Sequence, residues 1–416
     1  MIRILPISQA NSLRSRKSQM LHDAELVVAP IIAAVRSRGD AALLEYARRF
    51  DGFDGDSVLI EPIGALSPDF ERAIDAAARN IREFAMTQLP QERSADFSTG
   101  RRLGQIVRPL ASMGAYVPAG RYPLPSTLLM TVVPAQVAGV ATICVACPKP
   151  SAEILGTAAK LGVSKFFCMG GAQAIAAFAF GTQTVPRVDR IVGPGNAYVA
   201  AAKKLIAGES AIEFVAGPSE VLIIATDGNP AWIAADMLAQ SEHDVEASAI
   251  LLTTSASLAT AVQAEIAKQL VDLPTSVVAG QSIENNGAIV LCESIEQAIE
   301  FSNLLAPEHL VLHEAEWVAA VTNAGSVFVG PYSPEAAGDY ASGPNHVLPT
   351  SGLARVRGGL SAADFVKVIS VQQLSSDALR ELAPTITTIA RAEGLEAHAR
   401  SVEIRFADQQ RMANRD

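Results

Sequence analysis

The chain has 416 residues, a length typical of two or three domains, and 49% of its residues are hydrophobic while only 18% are charged. The apolar share excludes a disordered chain, and the net charge of −10 argues against a nucleic-acid-binding surface, which needs a basic face. Four cysteines are too few for a disulfide framework and the N-terminus lacks the pattern of a signal peptide, so we expect a cytoplasmic protein.

The first third of the chain is predicted to be helical. Ser67, Pro68 and Asp69 form a helix start, because serine caps free N–H groups, proline suits the first turn, and an acid stabilises the positive end of the helix dipole. Apolar residues then recur at helical spacing, and we expect them to face the core: Phe70, Ile74, Ala77, Ile81 and Phe84.

Residues 128–147 form an uncharged segment that is long enough to span a membrane. Pro134, Gln136 and Gly139 interrupt it, and its second half, ATICVA, is rich in β-branched residues and follows a glycine, as in a buried strand. The sequence therefore predicts a helix followed by a parallel strand, with no membrane span.

Short apolar strands alternate with helices from about residue 113. The segments predicted as strands are MGAYVP, ATICVA, KFFCMGG and RIVGPG, and then EVLIIAT, SAILLTT, AIVLC and SVFVG. Helices are predicted from Ala231 to Gln240, from Leu258 to Leu270 and around Ile295. This alternation is typical of parallel sheets wrapped by helices, and it predicts two α/β units followed by a helical tail from about residue 360.

Glycines follow two of the predicted strands. Gly170-Gly171 and Gly193-Pro194-Gly195 each precede a helix whose free N–H groups could meet a phosphate. The GxGxxG fingerprint is absent from both loops, so ordinary turn chemistry is the alternative interpretation. The two loops support each other as a nucleotide site only if they lie on one edge of a sheet.

Cys144 and Cys147 match the CxxC pattern, but they fall in a predicted strand. Side chains three residues apart in a strand point to opposite faces, so the two thiols are not expected to form a redox pair or to bind one zinc ion.

Two polar segments place a histidine beside another candidate functional group. Gln240 and His243 lie three residues apart at the end of a predicted helix, so they share a face and can chelate one metal, with Asp244 or Glu242 orienting a ligand. The alternative is a solvated helix end. The neighbours Glu308-His309 precede a predicted strand, where they form a plausible general base and acid, or else a surface turn.

Two further segments combine a carboxylate with a histidine. Asp339 and His346 share a loop in which the carboxylate suits a metal ion, although a polar connection is the alternative. Glu393 and His398 do not share a helix face but can converge at a helix end, or belong to an ordinary charged helix. By themselves these segments indicate an α/β protein that is a candidate metalloenzyme with a nucleotide cofactor.

Long motifs in the same order along nearly the whole chain resemble those of the histidinol dehydrogenase family. They are GAYVPAGRYPLPSTLLM, GGAQAIAAFAFGT, VDRIVGPGNAYVAAAKKL, AGPSEVLIIA, AQSEHD, APEHL, GDYASGPNHVLPT and EGLEAHA. The resemblance implies zinc-dependent oxidation of L-histidinol to L-histidine through an aldehyde, with two NAD molecules and one zinc ion per subunit. It also implies an α/β fold of two Rossmann-like domains with parallel sheets that lack GxGxxG.

The resemblance assigns roles to residues of this chain. The zinc ligands would be Gln240, His243 and Asp339, with His398 supplied by the other subunit of a homodimer whose tail is swapped. Glu308 would activate the water that attacks the aldehyde-level intermediate, and His309 would move protons. The substrate contacts would be Ser219, His309 and Glu393 together with the four zinc ligands. The nucleotide contacts would be Tyr116, Gln173 and Asn196.

These roles agree with elementary chemistry. Zinc can bind the imidazole and amine of histidinol and so hold the hydroxyl-bearing carbon towards the nicotinamide. A histidine suits proton transfer near neutral pH, and a carboxylate suits delivery of water in the second oxidation. The expected partner is therefore a small-molecule substrate, with no nucleic acid and no membrane, and the homodimer interface would account for the low charged fraction.

The predicted organisation is discontinuous. We expect an N-terminal segment at 1–20, a first α/β domain from 21–108 and 221–358, a second Rossmann-like domain at 109–220, and a helical tail at 359–416. Ala119, Phe214 and Val215 depart from the family pattern, as does RGGLSAADFVKVISVQQLS. These departures leave two alternatives: a zinc- and NAD-dependent dehydrogenase for another small polar alcohol, such as a sulfonated diol, or a non-catalytic binding protein of the same fold.

Overall fold

A computed structural model describes residues 1–14, 19–97, 100–119 and 122–406. The strands are, in chain order, β1 (Arg3–Pro6), β2 (Leu59–Ile60), β3 (Arg93–Phe97), β4 (Arg101–Pro109), β5 (Ser112–Tyr116), β6 (Thr142–Ala146), β7 (Lys165–Phe167), β8 (Arg190–Val192), β9 (Ala211–Ile212), β10 (Glu220–Ile224), β11 (Ser248–Thr253), β12 (Ala288–Leu291), β13 (His309–Leu312), β14 (Ser326–Val329) and β15 (Val366–Leu374).

The α-helices follow the same order. They are α1 (Gln19–Arg38), α2 (Asp40–Tyr46), α3 (Pro68–Thr87), α4 (Pro125–Ala138), α5 (Ala152–Lys160), α6 (Gly171–Phe180), α7 (Ala197–Ile206), α8 (Pro230–Ser241), α9 (Ala256–Gln269), α10 (Ser276–Asn286), α11 (Ile295–Leu305), α12 (Glu335–Tyr340), α13 (Ser376–Ala392) and α14 (Glu396–Glu403).

The first sheet is fully parallel, with the strand order β1-β12-β11-β10-β13-β14. Its central strand β10 is buried on both faces, because Val221 and Ile223 pack in the core with α8, α9 and α10 while Leu222 and Ile224 pack in the core with α11. The strand order reverses at β10, which has β11 on one side and β13 on the other.

The second sheet has the order β2-β7-β6-β5-β8-β9, and its strands are parallel except for β2, which pairs antiparallel with β7. Strand β5 lies between β6 and β8, just as β10 lies between β11 and β13 in the first sheet. The prediction of an α/β fold with two Rossmann-like sheets is confirmed, as are the strand segments read from the sequence.

Helix α3 begins as the sequence predicts, since the Ser67 side chain accepts a hydrogen bond from the Phe70 N–H. The prediction that five apolar residues of this helix face the core is wrong for the last of them. Phe84 is 38% exposed, and its neighbour Ala85 is buried. A step of four residues from Ile81 reaches Ala85, which therefore lies on the inner face of the helix.

The uncharged segment forms α4 followed by β6, as predicted. Helix α4 is buried almost all round, with α3, α5 and β5 packed against it, which explains its lack of charge. No helix in the described residues is long and apolar enough to cross a membrane.

The grouping of segments differs from the predicted domains. Ala24, Val28 and Val35 of α1 share a core with α6 and α7 beside the second sheet, whereas the sequence grouped 21–108 with 221–358. Strand β1 instead joins the first sheet through β12. Both sheets belong to one compact unit, Met1–Leu89 and Leu110–Phe365.

A second compact unit contains Pro90–Pro109 and the described residues from Val366 onward. Its core element is an antiparallel sheet with the order β15-β4-β3, followed by α13 and α14. The sequence predicted the helices of this tail but not the strand β15. Residues 15–18 of the predicted N-terminal segment and 407–416 of the predicted tail lie outside the described residues.

Candidate active site

A cluster of polar side chains lies at the amino ends of the strands of the first sheet. Glu308 and His309 stand at the start of β13, and Glu220 begins the neighbouring strand β10. Helix α8 runs back from the carboxyl end of β10, so Gln240 near its C-terminus lies at the same edge. The carboxylate of Asp339 on α12 completes the cluster, 3.6 Å from His309 Nε2.

His309 is buried and held by its backbone neighbours. Its Nδ1 donates a hydrogen bond of 3.0 Å to the carbonyl oxygen of Glu220, which leaves Nε2 facing Asp339. Burial disfavours the charged imidazolium, but Glu308 and Asp339 outweigh burial and raise the pKa of His309 to about 10. The imidazole is thus fixed in orientation and strongly coupled to two carboxyl groups.

The Glu308 carboxyl group is buried beside this imidazole. Its Oε2 accepts a hydrogen bond of 2.7 Å from the Glu220 N–H and lies 3.7 Å from His309 Nδ1. Burial raises the pKa of Glu308 to about 8, although His309 and the Glu220 N–H act in the opposite direction. A carboxyl group with such a pKa can exchange a proton near neutral pH.

Gln240 is the clearest sign of a missing partner in this cluster. Its side chain is fully buried, and neither its amide oxygen nor its amide nitrogen has a hydrogen-bond partner. An unsatisfied buried polar group costs about 1–3 kcal/mol, so such an amide is expected where a ligand normally occupies it.

His243, next to the end of α8, has the orientation of a ligating histidine. Its Nδ1 lies 3.1 Å from the carbonyl oxygen of Ala239 and 3.2 Å from that of Gln240, so Nδ1 carries the proton. The free Nε2 lies 3.9 Å from the Asp339 carboxylate. Backbone anchoring of one ring nitrogen is the usual way in which a metal-binding imidazole is oriented.

These donors fit a zinc ion in kind: one amide oxygen, one imidazole nitrogen and one carboxylate. In the described part of the chain, no group of three or more His, Cys, Asp or Glu side chains is arranged to hold a metal by itself. The predicted ligand set differs from such a group, because it includes the Gln240 amide and also His398, which belongs to the second unit.

His346 and Asp339 are neighbours, but the prediction that both lie in a loop is wrong for Asp339, which lies on α12. The Nδ1 of His346 donates a hydrogen bond of 2.9 Å to the Asp339 carbonyl oxygen. Burial raises the pKa of Asp339, but the hydrogen bond and charge of His309 outweigh it, so the net pKa is lowered. Asp339 is therefore ionised and available to a cation.

Glu335 is a residue that the sequence analysis missed. Its carboxyl group is 1% exposed, neither oxygen has a hydrogen-bond partner, and burial raises its pKa well above the usual value. The available signal was its position four residues before Asp339, which places both on one face of α12.

The predicted nucleotide contacts lie at the carboxyl edge of the second sheet. Tyr116 ends β5, and its hydroxyl oxygen accepts a hydrogen bond of 3.1 Å from the Gly171 N–H. Gln173 donates to Asp51, whose carboxylate also accepts from the Gly170 N–H. Both side chains are internal.

Asn196 is exposed and caps α7, where its side-chain oxygen accepts hydrogen bonds from the N–H groups of Tyr198 and Val199. The two glycine loops follow β7 and β8, which run parallel in one sheet, so both lie on the same edge. The two loops therefore support each other as a candidate nucleotide site, because this required both to lie on one edge of a sheet.

The remaining predicted site residues are Ser219, Glu393 and His398. Ser219 directly precedes β10 and is half-buried, at the same edge as His309. Glu393 ends α13 and His398 lies on α14, both exposed and both in the second unit, so their part in the site stays a prediction.

Cys144 and Cys147 are buried, and burial raises their thiol pKa to about 11 and about 12, which makes both unreactive.

Comparisons with known proteins give a consistent result. The family model for histidinol dehydrogenase matches residues 14–406. The chain is 46% identical over 418 residues to the histidinol dehydrogenase of Geobacter sulfurreducens, covering 95% of this chain and 96% of that protein. It is 44% identical to the enzyme of that name from Halalkalibacterium halodurans, covering 98% of this chain and 100% of that protein.

Solved structures extend the comparison. Histidinol dehydrogenase from Elizabethkingia anophelis matches with a TM-score of 0.94 and 36% identity, over 98% of this chain and 99% of that chain. An acetylating aldehyde dehydrogenase from Geobacillus thermoglucosidasius, at a TM-score of 0.50 and 13% identity, shares the fold alone.

The sheets and these matches together identify an oxidoreductase built on two Rossmann-like sheets. The chain belongs to the histidinol dehydrogenase family, because that family's model spans nearly all of it and relatives of that name match it end to end. The resemblance seen in the sequence motifs is confirmed. The comparisons do not favour the alternative of a dehydrogenase for a sulfonated diol.

Proposed function

We propose that this protein oxidises L-histidinol to L-histidine through L-histidinal, with zinc bound and two NAD+ reduced. The observation that carries the proposal is the buried cluster of His309, Glu308 and Asp339 beside the unpartnered amide of Gln240. Membership of the family supplies the substrate, and the cluster supplies groups of the right chemistry.

Gln240, His243 and Asp339 would hold the zinc ion, with His398 as the fourth ligand. When bound, zinc supplies a Lewis acid that orients the imidazole and amine of the substrate. The unpartnered state of the Gln240 amide and the free Nε2 of His243 support this set.

When bound, NAD+ would supply the acceptor for the hydride, and His309 would accept the hydroxyl proton of the alcohol. Its Nε2 performs this transfer, because Nδ1 is engaged by the Glu220 carbonyl. Asp339 helps to raise the pKa of His309, so a cation held by Asp339 would bring that pKa back towards neutrality.

Glu308 takes a proton from the water that adds to the aldehyde carbon. The hydrate anion formed in this way would lose hydride to a second NAD+ and one proton to solvent, which would leave the carboxylate of histidine. A buried carboxyl group held by the Glu220 N–H is well placed for this task, since its orientation is fixed and its pKa lies near the working pH.

NAD would bind at the carboxyl edge of the second sheet, where both glycine loops lie. Asn196 is the predicted contact that is open to a ligand, while the internal side chains of Tyr116 and Gln173 shape the loop beneath. The helices α6 and α7 that follow these loops direct their N-terminal ends to this edge, which favours phosphate oxygens.

We also propose a homodimer in which the tail of each chain supplies His398 to the other. The second unit exposes apolar side chains on β15, among them Val368, Ile369 and Val371, which supports a covered interface. Mixing inactive His309→Ala and His398→Ala dimers is expected to restore activity after subunit exchange. Failure to do so despite proven exchange would assign His398 to its own chain.

Substrate choice tests the proposed function. Purified protein supplied with zinc and NAD+ is expected to form NADH from L-histidinol and not from a sulfonated diol, followed by NADH absorbance. His309→Ala, compared with wild type at equal zinc content, is the matched negative control. NADH formation from the diol alone would overturn the proposal.

A further inference from the structure

A cavity of about 140 Å³ lies at the carboxyl end of the first sheet. Its walls come from the loop after β10, the first turns of α8, the end of β13 and the loop after β14. This is the point where the strand order reverses, between β10 and β13. Open α/β sheets bind their ligands in the crevice at such a point.

The cavity is separate from the candidate active site. His309 and Glu308 stand at the amino ends of the same strands, whereas His313 follows the carboxyl end of β13 and lines the cavity. Along α8, Asp236 lines the cavity one turn before Gln240, which faces the candidate active site. The proposed chemistry leaves the cavity without a role.

Asp236 is the acidic residue among the described residues that line this cavity. In the described part of the chain, Asp236 forms neither a hydrogen bond nor an ion pair, and burial raises its pKa to about 6. The buried and unpartnered Glu335 lies within electrostatic range of Asp236. Burial lowers the pKa of His313, although Asp227 and Glu314 act in the opposite direction. None of the described residues that line the walls is Lys or Arg.

An exposed aromatic pair adjoins the cavity. Trp232 is a wall residue, and its ring centroid lies 5.7 Å from that of Tyr332, which is 86% exposed on the loop after β14. Aromatic faces attract cations through their quadrupoles, most strongly for tryptophan. The pair therefore adds a second feature that selects positive charge.

An anionic ligand is disfavoured at the same place. Pro230 at the start of α8 has no N–H group, and Asn229 already accepts a hydrogen bond from the Ala231 N–H. With Asp227 in the loop before the helix, this N-terminus lacks the free donors that bind phosphate.

We propose that this cavity is a second ligand site, which binds a small organic ammonium ion between the Asp236 carboxylate and the Trp232 ring. The ligand enters from solvent past Tyr332 and pairs with Asp236. His313 approaches Gly228 closely, because a Cβ atom at Gly228 would meet its imidazole ring. The site is independent of the proposed oxidation.

Binding of n-propylammonium to the purified full-length protein, measured by saturation-transfer NMR, tests the proposal. Wild type is expected to show saturable binding, weakened at least about tenfold in Asp236→Asn and in Trp232→Ala. The uncharged analogue 1-propanol is expected not to bind. Asp272→Asn, a matched change at an exposed acid, and His243→Ala, in the candidate metal site, should both bind as wild type does.

Three results would overturn the proposal. They are the absence of saturable binding to wild type, equal binding by Asp236→Asn and Asp272→Asn, and loss of binding in His243→Ala with retention in Asp236→Asn. The last result would assign the ammonium ion to the candidate active site. Thermal unfolding by circular dichroism shows whether each variant is folded, and Trp232→Ala provides a second test if Asp236→Asn is not.

Discussion

Lys203 and Glu213 form a buried ion pair that holds both backbone groups of Gly193. The Lys203 Nζ lies 2.6 Å from Glu213 Oε1 and donates to the Gly193 carbonyl, while the same Oε1 accepts a hydrogen bond of 3.0 Å from the Gly193 N–H. Gly193 has a φ of 113°, and a Cβ atom there would overlap the Tyr116 carbonyl oxygen. One ion pair thus fixes the loop at the proposed cofactor edge.

Removing one member of this pair should destabilise the protein strongly. Lys203→Met leaves Glu213 buried without its cation, and we expect a loss of about 3–5 kcal/mol in the free energy of unfolding. The double variant Lys203→Met/Glu213→Gln should lose less than Lys203→Met alone. Urea denaturation followed by circular dichroism measures these differences.

Lys204→Met is the matched control for that measurement. Lys204 is the next residue of α7, is half-exposed and pairs with Glu25 at the surface, so its loss should cost no more than about 1 kcal/mol. Equal effects of Lys203→Met and Lys204→Met would contradict the structural role of the buried pair.

His243→Ala should lose the bound metal. The variant removes the imidazole whose Nδ1 is anchored to the backbone and whose Nε2 is free, so zinc per subunit, measured by elemental analysis, is expected to fall close to zero. His22→Ala, at an exposed histidine, should retain the metal. Full zinc occupancy in His243→Ala would disprove the ligand assignment.

Glu308→Gln should harm the second oxidation more than the first. Only the step from the aldehyde needs an activated water, and glutamine cannot accept its proton. Rates with L-histidinol and with L-histidinal, measured separately at saturating NAD+, give the two half-reactions. Equal losses in both would argue against Glu308 as the group that activates water.

Asp236 should make stability depend on pH in a predictable direction. Burial raises its folded pKa from 3.8 to about 6, so the folded state holds a proton that the unfolded state releases. Stability contributed by protonated Asp236 is present below about pH 4 and is lost as the pH rises to about 6. Asp236→Asn should therefore gain stability relative to wild type across that window, in denaturation curves at each pH.

A difference in the free energy of unfolding between Asp236→Asn and wild type that stays constant from pH 4 to 6 would contradict a raised pKa of the Asp236 carboxyl group. Asp272→Asn serves again as the control, since it makes the same change of side chain at an exposed position.

Local structure was predictable where the local sequence determines it. The cap at Ser67 and the strands β5, β6, β10 and β11 follow from short-range patterns of polarity and β-branching. The family motifs also brought Gln240 and Asp339 to one site, although these residues are far apart in the chain.

Long-range pairing was not predictable in the same way. Strand β1 joins β12 across most of the chain, and β15 pairs with β4, so no local pattern reveals either partner. Glu335 was missed for a related reason: its sequence context resembles an ordinary acidic helix start, and only the fold buries it near His309. Sequence patterns report polarity, whereas burial of a charged group depends on the assembled core.

The number of NAD+ molecules reduced for each histidinol distinguishes a two-step oxidation at one site from a single oxidation. Purified protein with zinc and excess NAD+ is mixed with a limiting amount of L-histidinol, and NADH is counted at completion together with the histidine formed. We expect two NADH and one histidine for each histidinol consumed. One NADH with accumulation of the aldehyde, or no turnover of histidinol with zinc bound, would contradict it.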